Sequence, residues 1–98
     1  MLDIGYAPGG EVFIKGRLDA AQANSAQDFL DQVDQAVVLD LGQLEYISSA
    51  GLGVLLKTLK RLMAGGHGMK LVNVNHHIND ILHYSGFDKL FEIEAADA

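Results

Sequence analysis

Cysteine is absent from all 98 residues. Disulfides, thiol catalysis and every cysteine-ligated zinc or iron–sulfur site are therefore excluded. No apolar run approaches the roughly 18–20 residues of a membrane span, so direct membrane insertion is not expected. The N-terminus, Met1-Leu2-Asp3-Ile4, lacks the basic region and apolar stretch of a signal peptide, and the chain reads as cytoplasmic. Cations are also scarce. Seven Lys and Arg face 13 Asp and Glu, a formal net charge of −6. A self-sufficient nucleic-acid binder would be basic, so no nucleic-acid partner is expected. An acidic surface instead favours solubility and can steer toward a basic partner face.

What is present is ordinary for a globular protein: 49% hydrophobic and 20% charged residues. The length suits one domain over 1–98, with an ordered core over about 2–93 and an acidic tail that frays. Such a chain buries roughly 60–70% of its unfolded surface. That supports one core but not a deep substrate cavity with a lid.

Glycine and the single proline punctuate the chain. Pro8-Gly9-Gly10 separates the alternating runs Leu2, Ile4, Tyr6 and Val12, Ile14, and predicts a hairpin whose second strand ends at Gly16. Asp19 predicts a helix from Ala20 to about Val33, with Gln22 in capping-box spacing. Its buried stripe is Ala23, Ala26, Leu30 and Val33, with Phe29 beside it. The run from Ala36 to Leu41 reads as a strand buried on both faces. Gly42 to Ser49 reads as a loop.

The strongest helix is expected from about Ala50 to Met63, with Leu52, Leu55, Leu56, Leu59, Leu62 and Met63 on one stripe. Lys57, Lys60 and Arg61 lie off that stripe and read as a solvated face, or as a contact for an acidic partner. Met69 to Val74 is the next strand. Asn75 caps a helix from His76 to Ser85, and Phe87, Leu90, Phe91 and Ile93 close the core. Strands separated by helices define an α/β fold: a small mixed sheet of four to five strands packed with helices.

The most informative segment is Tyr46-Ile47-Ser48-Ser49-Ala50-Gly51-Leu52-Gly53-Val54. Small and hydroxyl residues gather where a loop becomes a helix. Ser48 or Ser49 can cap orphan N–H groups. Ala50, Gly51 and Gly53 leave the first turn uncovered, so another backbone can approach. Each glycine there costs up to about 1 kcal/mol against alanine, which helix optimisation alone would not choose. Either the helix start packs tightly on the sheet, or it is a recognition surface with a modifiable serine. A phosphate there would meet the positive end of a helix.

The chain resembles the STAS domain family of anti-sigma factor antagonists and sulfate-transporter tails. The matching pieces are Gly16-Arg17-Leu18-Asp19, Asn24-Ser25, Val38-Leu39-Asp40-Leu41, Tyr46 to Leu52, Leu71-Val72-Asn73-Val74 and Ser85 to Phe91. No piece is specific alone; their order over nearly the whole chain is. The resemblance implies a non-enzymatic binding module without a cofactor, acting by partner switching. Its partners would be an anti-sigma factor that is also a serine kinase, and a phosphoserine phosphatase. An alternative within the family is a subunit of a larger assembly, such as a membrane-lipid ABC transporter.

The family loop runs Asp, two hydroxyl residues, Gly. Aligning that glycine with Gly51 sets Ser48 at the Asp position, Ser49 at the first hydroxyl and Ala50 at the second. The resemblance thus implies Ser49 as phospho-acceptor, with Ser48 second. It implies Asp19, Asn24, Ser48, Ser49, Ala50, Gly51 and Gly53 as the partner-binding set.

Other signals are weaker. Gly51-Leu52-Gly53 lacks the remainder of a dinucleotide fingerprint or P-loop. No Gly-x-Ser-x-Gly elbow supports a serine hydrolase. His76, Asp80 and His83 follow i, i+4, i+7 spacing, but metal binding needs three or four inward ligands with a second shell, so a solvated helix face is expected and no metal.

Overall fold

A computed structural model describes residues 1–96. The chain begins with the expected hairpin: β1 (Leu2–Tyr6) runs antiparallel to β2 (Val12–Leu18). Ala7 closes the turn by accepting from the Gly10 N–H at 2.9 Å. Gly16 does not end β2. It adopts φ 88° at a register irregularity, a conformation glycine tolerates, and the strand continues to Leu18.

The first half of β2 pairs in parallel with β3 (Val37–Asp40), through Val12–Leu39 and Phe13–Asp40. The second half pairs in parallel with β4 (Leu44–Ile47), through Gly16–Leu44, Arg17–Tyr46 and Leu18–Ile47. The segment read as a loop therefore holds a strand. β5 (Met69–Val74) lies beside β3, and β6 (Glu92–Ala95) beside β5, both parallel. The path is β1-β2-β3-β5-β6 with β4 attached to β2, a six-stranded mixed sheet. The α/β class is as expected, and β4 and β6 take the strand count to six. β6 carries the ordered chain past Ile93. The rest of the tail that was expected to fray, Asp97 and Ala98, lies outside the described residues.

Buried and open residues alternate along β2, β3 and β5. Val12, Ile14, Leu39 and Leu71 are fully buried, whereas Val38 is 38% exposed. β3 is thus covered on one face only, contrary to its uninterrupted apolar composition. The covered face packs α1 (Ala23–Leu30), α2 (Ser49–Ala64) and α3 (His76–Tyr84), through Ala26, Leu30, Leu55, Leu62, Ile78 and Leu82 among others. Each such large aliphatic side chain contributes about 1.5–3 kcal/mol when fully buried.

Helix α1 is shorter than its stripe suggested. Asp19 does accept from the Gln22 N–H at 3.2 Å, in the predicted spacing, but it closes a turn that precedes the helix. The helix proper starts at Ala23, with Gln22 at its N-cap and no side-chain cap. At its other end, Arg61 of α2 donates from Nη2 to the carbonyls of Leu30 at 2.8 Å and Val33 at 2.7 Å. Arg61 is exposed, as a solvated face requires, but it also anchors the end of α1. Within α2, Met63 is 61% exposed, while Val54 and Thr58 complete the buried stripe. Thr58 satisfies its hydroxyl on the Val54 carbonyl at 2.9 Å.

Candidate functional site: the start of helix α2

Parallel strands β2 and β4 end side by side, and the polar residues that follow them meet there. Leu18 pairs with Ile47, so Asp19 and Ser48 are the next residues along two neighbouring strands. The Ser48 N–H donates to the Leu18 carbonyl at 2.9 Å and extends the ladder by one bond. Ser48 then turns the chain into α2. It is the N-cap, in extended conformation, and its hydroxyl accepts from the Gly51 N–H at 3.2 Å. This is the hydroxyl capping that the loop–helix junction predicted, now assigned to one of the two serines.

Ser49 is the first helical residue and is exposed, as is Ala50 after it. Ser48 by contrast is half-buried. The two glycines differ sharply. Gly51 is buried, and a β-carbon there would stand 2.6 Å from the Leu18 carbonyl oxygen and 2.9 Å from Ile47 Cγ1. The backbone that approaches Gly51 is the chain's own. Gly53 is half-buried, yet no neighbouring element comes within 4 Å of a β-carbon position there, so the fold leaves room for a side chain. Leu52 packs inward, as its stripe required.

The structure thus gathers Asp19, Ser48, Ser49, Ala50, Gly51 and Gly53 around two strand ends and one helix start. Asn24 stands on the next element, exposed at the second position of α1. Another junction lies apart from this group, at the opposite end of β4. Asn75 caps α3 by accepting from the Ile78 N–H at 2.9 Å, and its amide donates to the Leu44 carbonyl at 2.9 Å. That second bond ties the β5–α3 junction to β4. Sequence reasoning found the cap and missed the tie. It also missed the contact of the Arg17 guanidinium with the Tyr46 ring, 4.5 Å from its centroid, because Tyr46 was read as loop.

The histidines do not converge. His76 lies 3.4 Å from Asp80, whereas His83 turns away to Asp88 at 2.8 Å. Among the described residues no three His, Asp or Glu side chains group as a metal site. Nor is any helix among those residues long and apolar enough to cross a membrane.

Fold and site together define a small α/β domain that offers the start of one helix, bare of large side chains, at the ends of its parallel strands. The chain belongs to the STAS domain family, whose model matches residues 9–96. A relative named "Putative anti-sigma factor antagonist BtrV", from Bordetella bronchiseptica, is 34% identical over 84 residues, covering 82% of this chain and 72% of that protein. The crystal structure of "a putative anti-sigma factor antagonist" from Thermotoga maritima superposes with a TM-score of 0.78 at 22% identity, over 100% of this chain and 87% of that one. The Bacillus cell fate determinant SpoIIAA, in its phosphorylated form, gives 0.70 at 16% identity, over 99% and 93%.

Proposed function

We propose that this chain is an anti-sigma factor antagonist that works by partner switching. Unphosphorylated, it binds an anti-sigma factor that is also a serine kinase. Phosphorylated on Ser49, it releases that partner, and a phosphoserine phosphatase resets it. The observation that carries this reading is the division of labour between adjacent serines. The Ser48 hydroxyl is engaged at the helix cap, while Ser49 is exposed one residue on. One turn further, Gly53 presents no side chain. The BtrV relative's name supports the role, and a protein of the same fold has been solved phosphorylated.

The physics of the switch follows from position. A phosphate adds about −1.5 to −2 charges and three acceptor oxygens. At the first residue of α2 it faces free N–H groups and the positive end of the helix dipole, so the fold accommodates it. A partner seated on the same surface must instead desolvate a dianion. Each 1.4 kcal/mol of that penalty weakens binding tenfold. The domain itself holds no cofactor in this scheme; ATP is the kinase's substrate, and the setting is the cytoplasm.

Ala50 favours a second reading. It is exposed at the position where the family's second hydroxyl would stand, so that site cannot be modified here. A STAS subunit of a larger assembly, such as a membrane-lipid ABC transporter, would lose nothing by that. Native purification separates the two: a soluble kinase-type partner in one case, a membrane ATPase complex in the other. Incubation with the cognate kinase and ATP, followed by mass-spectrometric mapping, tests the switch. Phosphate on Ser49 is expected, and Ser49→Asp should lose the kinase in a pull-down. An unmodified Ser49 under conditions where the complex forms overturns the switch.

A further inference from the structure

The outward face of α2 beyond Gly53 has a charge pattern that the fold does not use. The chain carries 13 acidic and 7 basic residues, yet Lys57, Lys60 and Arg61 all lie on this helix. The helix contains no Asp or Glu from Ser49 to Ala64. A solvated helix face ordinarily mixes the two signs at i, i+4 spacing. Here the cations are segregated, and Lys57 and Lys60 stand one turn apart with like charge.

Internal roles account for only part of this. Arg61 is committed to the carbonyls at the end of α1. The helix dipole favours cations in the last turn, which explains Arg61 and helps Lys60. Lys57 lies too far from the C-terminus for that effect. Both lysines are exposed. The ion pairs among the described residues are Lys70–Glu94, His76–Asp80 and His83–Asp88, and none involves either lysine.

Apolar surface accompanies the charge. Gly53, Leu56, Lys57, Lys60 and Met63 follow i, i+3, i+4, i+7 and i+10, so they form one strip along the helix. Leu56 is half-buried, and Met63 is 61% exposed. An unbranched thioether on a surface adapts readily to a partner's shape. Nucleic acid and anionic membrane match the lysines but would approach a domain of net charge −6. A protein patch of carboxylates around apolar side chains complements the strip and can avoid the remaining surface.

We infer that this strip is an electropositive extension of the docking face, and that it takes an acidic, partly apolar surface on the anti-sigma factor. The inference rests on the proposed function, because the strip continues the face that begins at Ser49. It adds a charge requirement to the partner and a region of contact that phosphorylation does not touch. Ser49 decides whether the partner binds; Lys57 and Lys60 decide which partner fits and how fast it arrives.

The test uses the kinase-type protein that the full chain retains from a lysate of its source strain, purified and titrated at low and high salt. The variants are Lys57→Glu/Lys60→Glu and Gly53→Arg, with helical content and melting temperature as controls on folding. The double reversal is expected to weaken binding roughly tenfold or more at low salt, and to flatten the salt dependence. Gly53→Arg should weaken binding a hundredfold or more. If Gly53→Arg weakens binding a hundredfold or more and the double reversal leaves both affinity and salt dependence unchanged, the strip is overturned while the proposed function stands. If the wild type retains no kinase-type protein at low salt, both fall. Lysine-dependent binding to phosphatidylcholine–phosphatidylglycerol vesicles, with the kinase affinity unchanged, overturns the protein assignment in favour of a lipid surface.

Discussion

The carbonyl oxygen of Leu18 occupies the space beside Gly51 that a side chain would need. A β-carbon there would stand 2.6 Å from that oxygen and 2.8 Å from Leu18 Cγ. The absence of a side chain lets α2 seat directly on the ends of β2 and β4, which in turn fixes where Ser49 and Gly53 point.

Gly51→Ala is therefore expected to destabilise the domain, although alanine is the better helix former. Overpacking of a buried site costs about 1–3 kcal/mol. For a chain of this size each kcal/mol lowers the melting temperature by roughly 4–8 °C. Thermal unfolding followed by circular dichroism measures it. A melting temperature equal to wild type would show that the helix start is free to shift away from β2.

The two serines should separate in the same assay. Ser48→Ala removes the hydroxyl that caps Gly51, with an expected loss of about 1 kcal/mol. Ser49→Ala removes an exposed hydroxyl at a helical position and should be neutral or slightly stabilising. Phosphorylation should follow the opposite pattern, abolished by Ser49→Ala and retained in Ser48→Ala. Kinase labelling of the two variants checks this.

Arg61 links α2 to the end of α1 through two carbonyls. Hydrogen bonds from a charged donor are worth more than neutral ones, and this pair is partly buried. Arg61→Ala should cost about 1–2 kcal/mol. It should also speed amide exchange in the last turn of α1. Lys57→Ala, on the same helix but without a partner in the fold, serves as the comparison and should change neither.

Lys70 and Glu94 join β5 to β6 across 3.0 Å. The hydrogen bond to Glu94, and then its charge, raise the Lys70 pKa above 10.5. A raised lysine pKa stabilises the fold fully below the unfolded value, and that contribution is lost as pH rises through the folded one. The contribution of Lys70 to the pairing of β6 should thus be insensitive to pH through the neutral range and be lost in strong alkali. A Lys70 side-chain NMR titration with a midpoint at or below the ordinary lysine value would contradict it.

The parts that were legible in the sequence are those with local causes. Pro8-Gly9-Gly10 and the flanking alternation specify the first hairpin between Leu2 and Gly16. The leucine stripe gives α2, and Ser48 and Asn75 mark two helix starts because capping acts within one turn. β4 was not legible because four residues after a turn become a strand only through β2, whose second half is free to pair. Nor was the open face of β3, since Val38 is as apolar as its neighbours and only the placement of the helices decides which face is covered. Asp19 carried a true signal at the wrong register: it closes a turn, and the helix waits until Ala23. At the site, both glycines of α2 looked alike. Only the contact with Leu18 shows that one is needed by the fold and the other is open.

That difference makes Gly53 the cleanest probe of docking. No neighbouring element lies within 4 Å of a β-carbon placed there, so Gly53→Ala and Gly53→Arg should both fold, and both should gain helix propensity over glycine. Their effects on binding should diverge. Alanine adds one methyl group to the surface and should weaken the partner little. Arginine places a long cation where a partner must approach the bare start of α2, and the loss should be a hundredfold or more, or about 3 kcal/mol. Titration of the purified partner against the three proteins, with melting temperatures in parallel, reads both arms. Unchanged binding by a folded Gly53→Arg variant would falsify the assignment of this helix start as the docking face, whatever happens at Ser49.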